Sequence, residues 1–294
     1  MAAAVPLPGK RFVEVGEGLL AVLHGDGAAG VANAGVVHEG GDALVVDATL
    51  LPEMAAGIGD ELARRGARAE LVLNTHHHLD HVGGNAAFPE ARAVAHPVTA
   101  RIAGGMVGRT AALAAILPRF AAALPDLDLR PPAAWTEPPA LPRGGRTLLF
   151  TPAHSPADCA VWFPAERVLF AGDVCFNRVV PLAVHASPSA WIAAIDALAA
   201  LEPAVIVPGH GPLATIADLL ALRAYLAALV EVAAAVHGGD LGEREAHDAL
   251  RIDAVEGWIE ADRAAVNLAR ALAELRAEEQ PGDRPETGRH VAPA

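Results

Sequence analysis

Residues 71–85 read LVLNTHHHLDHVGGN, and this stretch carries more chemistry per residue than any other in the chain. The apolar run Leu71 to Asn74 predicts a strand. It leads straight into His76-x-His78-x-Asp80-His81, followed by Gly83 and Gly84. Two imidazoles two residues apart on extended backbone point the same way, so His76 and His78 can reach one ion together. Asp80 and His81 sit where the chain bends into a helix, and there they face a second position. Such a concentration of donors is costly to keep without a metal. The bland alternative is a solvated, inert histidine-rich loop. Against it stand three further donors, each placed after an apolar run and before turn residues: His154 after LLFTPA, Asp173 in VLFAGDV and His210 in VIVPGHGP. Donors at the C-terminal ends of successive strands converge on one edge of a sheet.

Working outward, short apolar runs predict strands at Leu19 to Leu23, Ala43 to Asp47, Ala93 to Ala95, Thr147 to Thr151, Ala160 to Phe163, Val168 to Ala171 and Val205 to Val207. Helical patterns cover Met54 to Arg65 and Ser189 to Leu201, with Ser187 or Ser189 as N-cap of the latter. Two similar halves of this kind predict an α/β fold of four layers, αββα, in which two sheets pack face to face with helices outside. Residues 97–143 read as an insertion: Ala100 to Leu124 is helix-rich and apolar, and Pro131, Pro132, Pro138, Pro139 and Pro142 punctuate an extended stretch. A connection this long with its own structure is expected to cap the site. The domain spanning 1–213 is then followed by a helical extension over 214–279, with helices at Thr215 to His237, Gly242 to Leu250 and Val255 to Glu278. Residues 280–294 (QPGDRPETGRHVAPA) read as a disordered tail.

A net charge of −13, from 22 Lys+Arg against 35 Asp+Glu, argues against a nucleic-acid partner. Cys159 and Cys175 read as buried apolar residues in a reducing compartment. The start, MAAAVPLPGKRF, lacks the basic end and apolar core of a signal peptide, and no uninterrupted apolar run is read as long enough to span a bilayer. The expectation is a soluble cytoplasmic protein with no membrane partner.

The seven donors and their order resemble the metallo-β-lactamase superfamily, from about Phe12 to Pro212. The resemblance implies the αββα sandwich and two divalent metal ions. It assigns His76, His78 and His154 to the first ion and Asp80, His81 and His210 to the second, with Asp173 bridging them. It makes Asp47, in LVVDAT, a group beneath the metal loop that orients it. His77 is expected to face away from the ions. His185, on the loop after Asp173, is expected at the pocket. A nitrogen and carboxylate set without thiolate suits zinc, the expected metal, and also admits iron or manganese. Two such ions bring the pKa of water from ~15.7 toward ~7 and polarise a carbonyl, which supports attack on an ester, thioester, lactone or amide. Asp80, besides its ligand role, would accept a hydrogen bond from the nucleophile and orient it.

Several segments resemble the actinorhodin-type aromatic polyketide cyclases of that superfamily: VANAGVVHEGGDALVVDATL (31–50), DLRPPAAW (128–135), AVWFPAERVLFAGDV (160–174), ALAALEPAVIVPGHGP (197–212) and EADRAAVNLARALAELR (260–276). This likeness implies ring closure and thioester cleavage of a poly-β-ketone carried on an acyl carrier, or action on a related small molecule. The apolar cap, with Met106, Ile116, Leu117 and Phe120, would then hold a flat apolar substrate, Met106 and Phe120 counting as pocket residues. Competing readings are a glyoxalase-II-like thioesterase or lactonase, an iron-dependent persulfide dioxygenase, and a non-catalytic binding module. The apolar helices Thr215–Val236 and Val255–Leu275 would pack on the sandwich or on a second subunit.

Overall fold

The computed structural model describes residues 7–279, so the expected tail at 280–294 lies outside the described residues. The first sheet contains β1 (Lys10–Gly16), β2 (Leu19–His24), β3 (Ala34–Glu39), β4 (Asp42–Val46), β5 (Arg68–Leu73), β6 (Arg92–Ala95) and β7 (Ala133–Ala134), in that spatial order. Pairing is antiparallel from β1 to β4 and parallel from β4 to β7. The second contains β8 (Arg146–Phe150), β9 (Asp158–Phe163), β10 (Val168–Phe176) and β11 (Val205–His210), ordered β11-β10-β9-β8, with β10 and β11 parallel.

The period of two along each strand builds the layers. Leu19, Ala21 and Leu23 of β2 and Leu44 and Val46 of β4 meet Val161, Phe163, Val168 and Phe170 of the second sheet in the central core. Their alternates Leu20, Val22, Ala43 and Val45 face the opposite way, with Ala55, Ile58 and Leu62 of α1 (Pro52–Arg64). Ala160, Trp162, Leu169 and Ala171 form the outer core of the second sheet. Strands buried on both faces read as continuous apolar runs, which is why the sequence shows little alternation. The observed order is helix, sheet, sheet, helix.

The remaining helices are α2 (Leu79–Val82), α3 (Pro97–Gly105), α4 (Pro188–Ala199), α5 (Ile216–Gly238), α6 (Glu243–Ala249) and α7 (Ala264–Glu279). Among the described residues α5 is the one helix long and apolar enough, by length and composition, to cross a membrane, though Asp218, Arg223 and Glu231 interrupt its apolar run. Its residues Leu219, Leu222, Tyr225, Leu226 and Leu229 are buried in the outer core of the second sheet.

Three local expectations are corrected. Strands β1, β3 and β7 lie outside the predicted runs. The stretch Ala100 to Leu124 is helical only through α3; beyond it run short 3-10 turns, divided by Gly108 at φ +70° and by Pro118 and Pro125. Val255 to Glu278 is not one helix either: Gly257 (φ +74°) and Glu260 (φ +61°) break it, and Ile259 pairs with Val179 instead.

Candidate metal centre

All seven predicted donors meet at one end of the sandwich. Strand β5 ends at Leu73, and the loop after it is clamped by buried amides. Asn74 Nδ2 donates to the His81 carbonyl (2.8 Å) and to Asn85 Oδ1 (3.1 Å), while Asn85 Nδ2 donates back to Asn74 Oδ1 (2.8 Å). The sequence reading missed this pair. Its signal was present in two asparagines bracketing the histidine run, at the end of an apolar strand. The backbone N–H of Ala48 also donates to the His81 carbonyl (2.9 Å), and a Cβ at Gly84 would overlap the Ala48 carbonyl. The loop therefore rests directly on the turn after β4.

Asp47 holds that turn together. It sits at φ +61°, an uncommon conformation that an aspartate tolerates better than most residues. Its Oδ1 accepts the Thr75 N–H (2.8 Å), its Oδ2 accepts the Thr75 hydroxyl (2.8 Å), and Oδ2 lies 2.8 Å from His81 Nδ1. With Nδ1 committed to a carboxylate, His81 turns Nε2 toward Asp173 Oδ1, 3.1 Å away. His210, at the end of β11, is fixed in the same way: Nδ1 lies 2.8 Å from the Gly27 carbonyl, and Phe176 stacks on its ring at 5.0 Å.

The donors fall into two groups: His76, His78, His154 and Asp173 in one, and Asp80, His81 and His210 in the other. Within each group the candidate ligand atoms lie within 4.8 Å of one another. Asp173 spans both. Its Oδ2 is 3.6 Å from His76 Nε2, 3.2 Å from His154 Nε2 and 3.6 Å from His210 Nε2, while Oδ1 faces His81. Gly209 makes room for it, since a Cβ there would overlap the Asp173 carboxylate. Asp80 Oδ2 lies 3.4 Å from His210 Nε2.

The residues fit metal cations. His76 Nε2, His81 Nε2 and Asp173 Oδ1 are buried, converge, and have no hydrogen-bond partner, an arrangement that is costly unless something else binds them. Burial, followed by the neighbouring imidazoles, holds His76 and His78 well below the ordinary histidine range, and burial pushes His154 down to about 4. These rings are therefore neutral at pH 7 with lone pairs available to a metal. Burial acts to raise Asp80, but its hydrogen bond to His210 and nearby imidazoles hold it below the usual carboxylate range. Asp173 is lowered against its own burial by His81, His210 and His154. His81 is raised despite burial by Asp173 and Asp47, so a cation arriving there displaces a proton.

A cavity of ≈ 100 Å³ opens over His78, Asp80, His154, Asp173 and His210. Leu79, Leu113, Ile116, Leu117, Leu182 and Val184 make most of its wall, and His185 and Arg263 also line it. Met106 and Phe120 do not. Phe120 is fully buried against Gly30 and Leu50 within the cap's own core, and Met106 packs on that same cluster. The cap presents Leu113, Ile116 and Leu117 to the cavity instead. His77 belongs to neither of these two donor groups, but it does not turn away from them: its ring packs against those of His78 (4.6 Å) and His185 (5.1 Å), with burial pushing it down to about 3. Cys159 and Cys175 are both buried and unpaired.

The family model for the metallo-beta-lactamase superfamily matches residues 27–210, from the loop that holds His210 to His210 itself. The chain belongs to the metallo-β-lactamase superfamily. Solved structures of superfamily members share its fold: a metallo-beta-lactamase from Hirschia baltica has a TM-score of 0.57 at 18% identity, covering 74% of this chain and 97% of that one. The mono-zinc form of the metallo-beta-lactamase FIM-1 from Pseudomonas aeruginosa has a TM-score of 0.57 at 20% identity, covering 76% and 97%. At such identities the likeness is one of fold alone. Among curated relatives, a hydroxyacylglutathione hydrolase of Synechococcus sp. (strain JA-3-3Ab) is 31% identical over 169 residues, 56% of each chain. One from Acidiphilium cryptum (strain JF-5) is 32% identical over 181 residues, 60% of this chain and 62% of the relative. The match thus spans little more than half the length of these superfamily relatives.

Proposed function

We propose that this superfamily member is a two-metal hydrolase of acyl thioesters, with zinc as its metal and an apolar acyl group in the pocket. The observation that carries the reading is the placement of Asp173: one carboxylate faces both donor groups, as a bridge between two cations requires. His76, His78 and His154 would hold one cation, Asp80, His81 and His210 the other. Cations so held supply Lewis acidity for a carbonyl oxygen and bring the pKa of water from ~15.7 toward ~7.

The chain's own residues do the rest. Asp80 reaches the cavity as a carboxylate and can accept a hydrogen bond from the attacking water, which orients it. Asp47 and the Gly27 carbonyl hold His81 and His210 in the tautomer that presents Nε2. Leu113, Ile116, Leu117 and Leu182 exclude bulk water and bind the acyl chain. The similarity to hydroxyacylglutathione hydrolases supports thioester chemistry. The apolar wall favours a greasier acyl group than a hydroxyacyl one, and it also supports a second reading, cyclisation and release of an aromatic polyketide thioester.

The test is a panel of thioesters, esters, lactones, phosphoesters and β-lactams assayed on the zinc-loaded chain, with Ile116→Ser beside the parent. Thioester hydrolysis is expected to dominate and to improve with acyl length. Ile116 is half-exposed in the free chain, and loss of the contact that a long acyl group would bury against it (~1.5 kcal/mol) should lower kcat/KM about 10-fold for long acyl groups and little for acetyl. Preference for phosphoesters or β-lactams would overturn the proposal, and so would native protein that holds iron and oxidises persulfides. Ring closure of a poly-β-ketone thioester would select the second reading.

A further inference from the structure

Four of the five ligand imidazoles have their remote nitrogen spoken for. Asp47 takes that of His81, the Gly27 carbonyl that of His210, and the Thr75 hydroxyl lies 3.1 Å from that of His76. The fourth is His78. Its Nδ1 faces the centre, 3.0 Å from His154 Nε2, and its Nε2 points the other way, 2.9 Å from Nδ1 of His185. A neutral imidazole that gives one nitrogen to a cation carries its proton on the other. With Nδ1 on the metal side, His78 must donate from Nε2, and His185 Nδ1 is where that proton lands.

His185 does not hold this position by itself. It lies on the loop between β10 and α4, and the C-terminal segment grips that loop residue by residue. Arg263 donates to the Val180 carbonyl (2.8 Å). Asn267 donates to the Pro181 carbonyl and accepts the Ala183 N–H, both at 2.8 Å. Arg270 donates to the Ala186 carbonyl (2.5 Å), and the Ser187 hydroxyl donates to Glu274. Residues 263, 267, 270 and 274 follow the helical spacing of a single face. That face of α7, together with Arg263 in the 3-10 turn just before it, is thus a polar template for the loop, in a helix whose other side packs Leu268 and Ala271 into the outer core.

We propose that His185 is a positioning residue for the metal ligand His78, set in place by the polar stripe of α7. It does for His78 what Asp47 does for His81: it fixes the tautomer and the ring plane of a ligand from outside the metal site. The helical extension is then part of the metal centre and not an appendage to it. The inference rests on the metal-centre reading above, and its test separates the two.

The experiment is a zinc titration of the metal-free full-length chain against a competing chelator, for the parent, His185→Leu, His185→Gln and Asn267→Ala. Parent protein that binds no zinc contradicts the metal reading itself. With two ions bound by the parent, His185→Leu is expected to weaken one of them by roughly 10–100-fold, the usual cost of removing a partner behind a ligand. His185→Gln, whose amide oxygen can accept from His78 Nε2, should recover most of that loss. Asn267→Ala, which touches no ligand, should weaken the same ion by a smaller factor. His185→Leu binding as tightly as the parent would overturn the proposal. Equal losses in His185→Leu and His185→Gln would do so too, since a purely structural role predicts them.

Discussion

Asp47 Oδ2 and His81 Nδ1 lie 2.8 Å apart, and this contact decides which nitrogen of His81 looks into the metal centre. Asp47→Asn would place an amide N–H against Nδ1, forcing the imidazole proton onto Nε2, where a cation needs the lone pair. The fold should survive, because the Asn oxygen can still accept the Thr75 N–H. We expect affinity for the second cation to fall roughly 10–100-fold, measured by chelator competition. An unchanged affinity would show that Asp47 only braces the turn.

Asp158 gives a pH signature that the metal ligands do not. Its Oδ2 accepts the Ser155 N–H (2.8 Å), which steadies the loop carrying His154, while Oδ1 is buried with no partner. Burial raises its pKa from 3.8 to about 8. Between those values the unfolded chain has lost the proton and the folded chain has kept it. Stability therefore falls as pH rises through this window and levels off above about 8. Asp158→Asn removes the dependence. In urea denaturation of the metal-free protein, it should match the parent near pH 4 and exceed it by several kcal/mol, up to about 5, at pH 8.5. A gap that does not change with pH would contradict the assignment.

Where the two sheets meet, Gly35 of β3 leaves space that the Phe170 ring fills; a Cβ at Gly35 would overlap the ring. Gly35→Ala should cost about 1–3 kcal/mol through overpacking, read as a lower denaturation midpoint with an unchanged slope. No change in midpoint would mean that the interface relaxes at no cost.

The layering and the donors were legible because both depend on short-range pattern. Apolar runs such as Leu71 to Asn74 and Val205 to Val207 end where the chemistry begins, and each donor sits just past its run. Strand β3 was not legible. Its glycine, which reads locally as a break, is required only because Phe170 comes from more than a hundred residues away. Helix α5 has the length and composition of a bilayer span, and only its packing places it in the outer core of the second sheet. Phe120 shows the limit for the pocket: an apolar cap residue can face the substrate or its own core, and composition does not distinguish them. Packing against Gly30 and Leu50 sends it inward, leaving Ile116 and Leu117 to face the cavity. The contact of His185 with His78 depends on α7, almost eighty residues further along the chain, and no local spacing could have revealed it.

In the proposed enzyme Asp173 joins two groups of donors into one two-metal centre. Elemental analysis of the natively purified chain, with Asp173→Ala beside it, tests this most directly. Two zinc ions are expected per parent chain and fewer than two in Asp173→Ala, with thioester hydrolysis lost in the variant. A parent that holds no more than one ion, or an Asp173→Ala protein that keeps both, would contradict it.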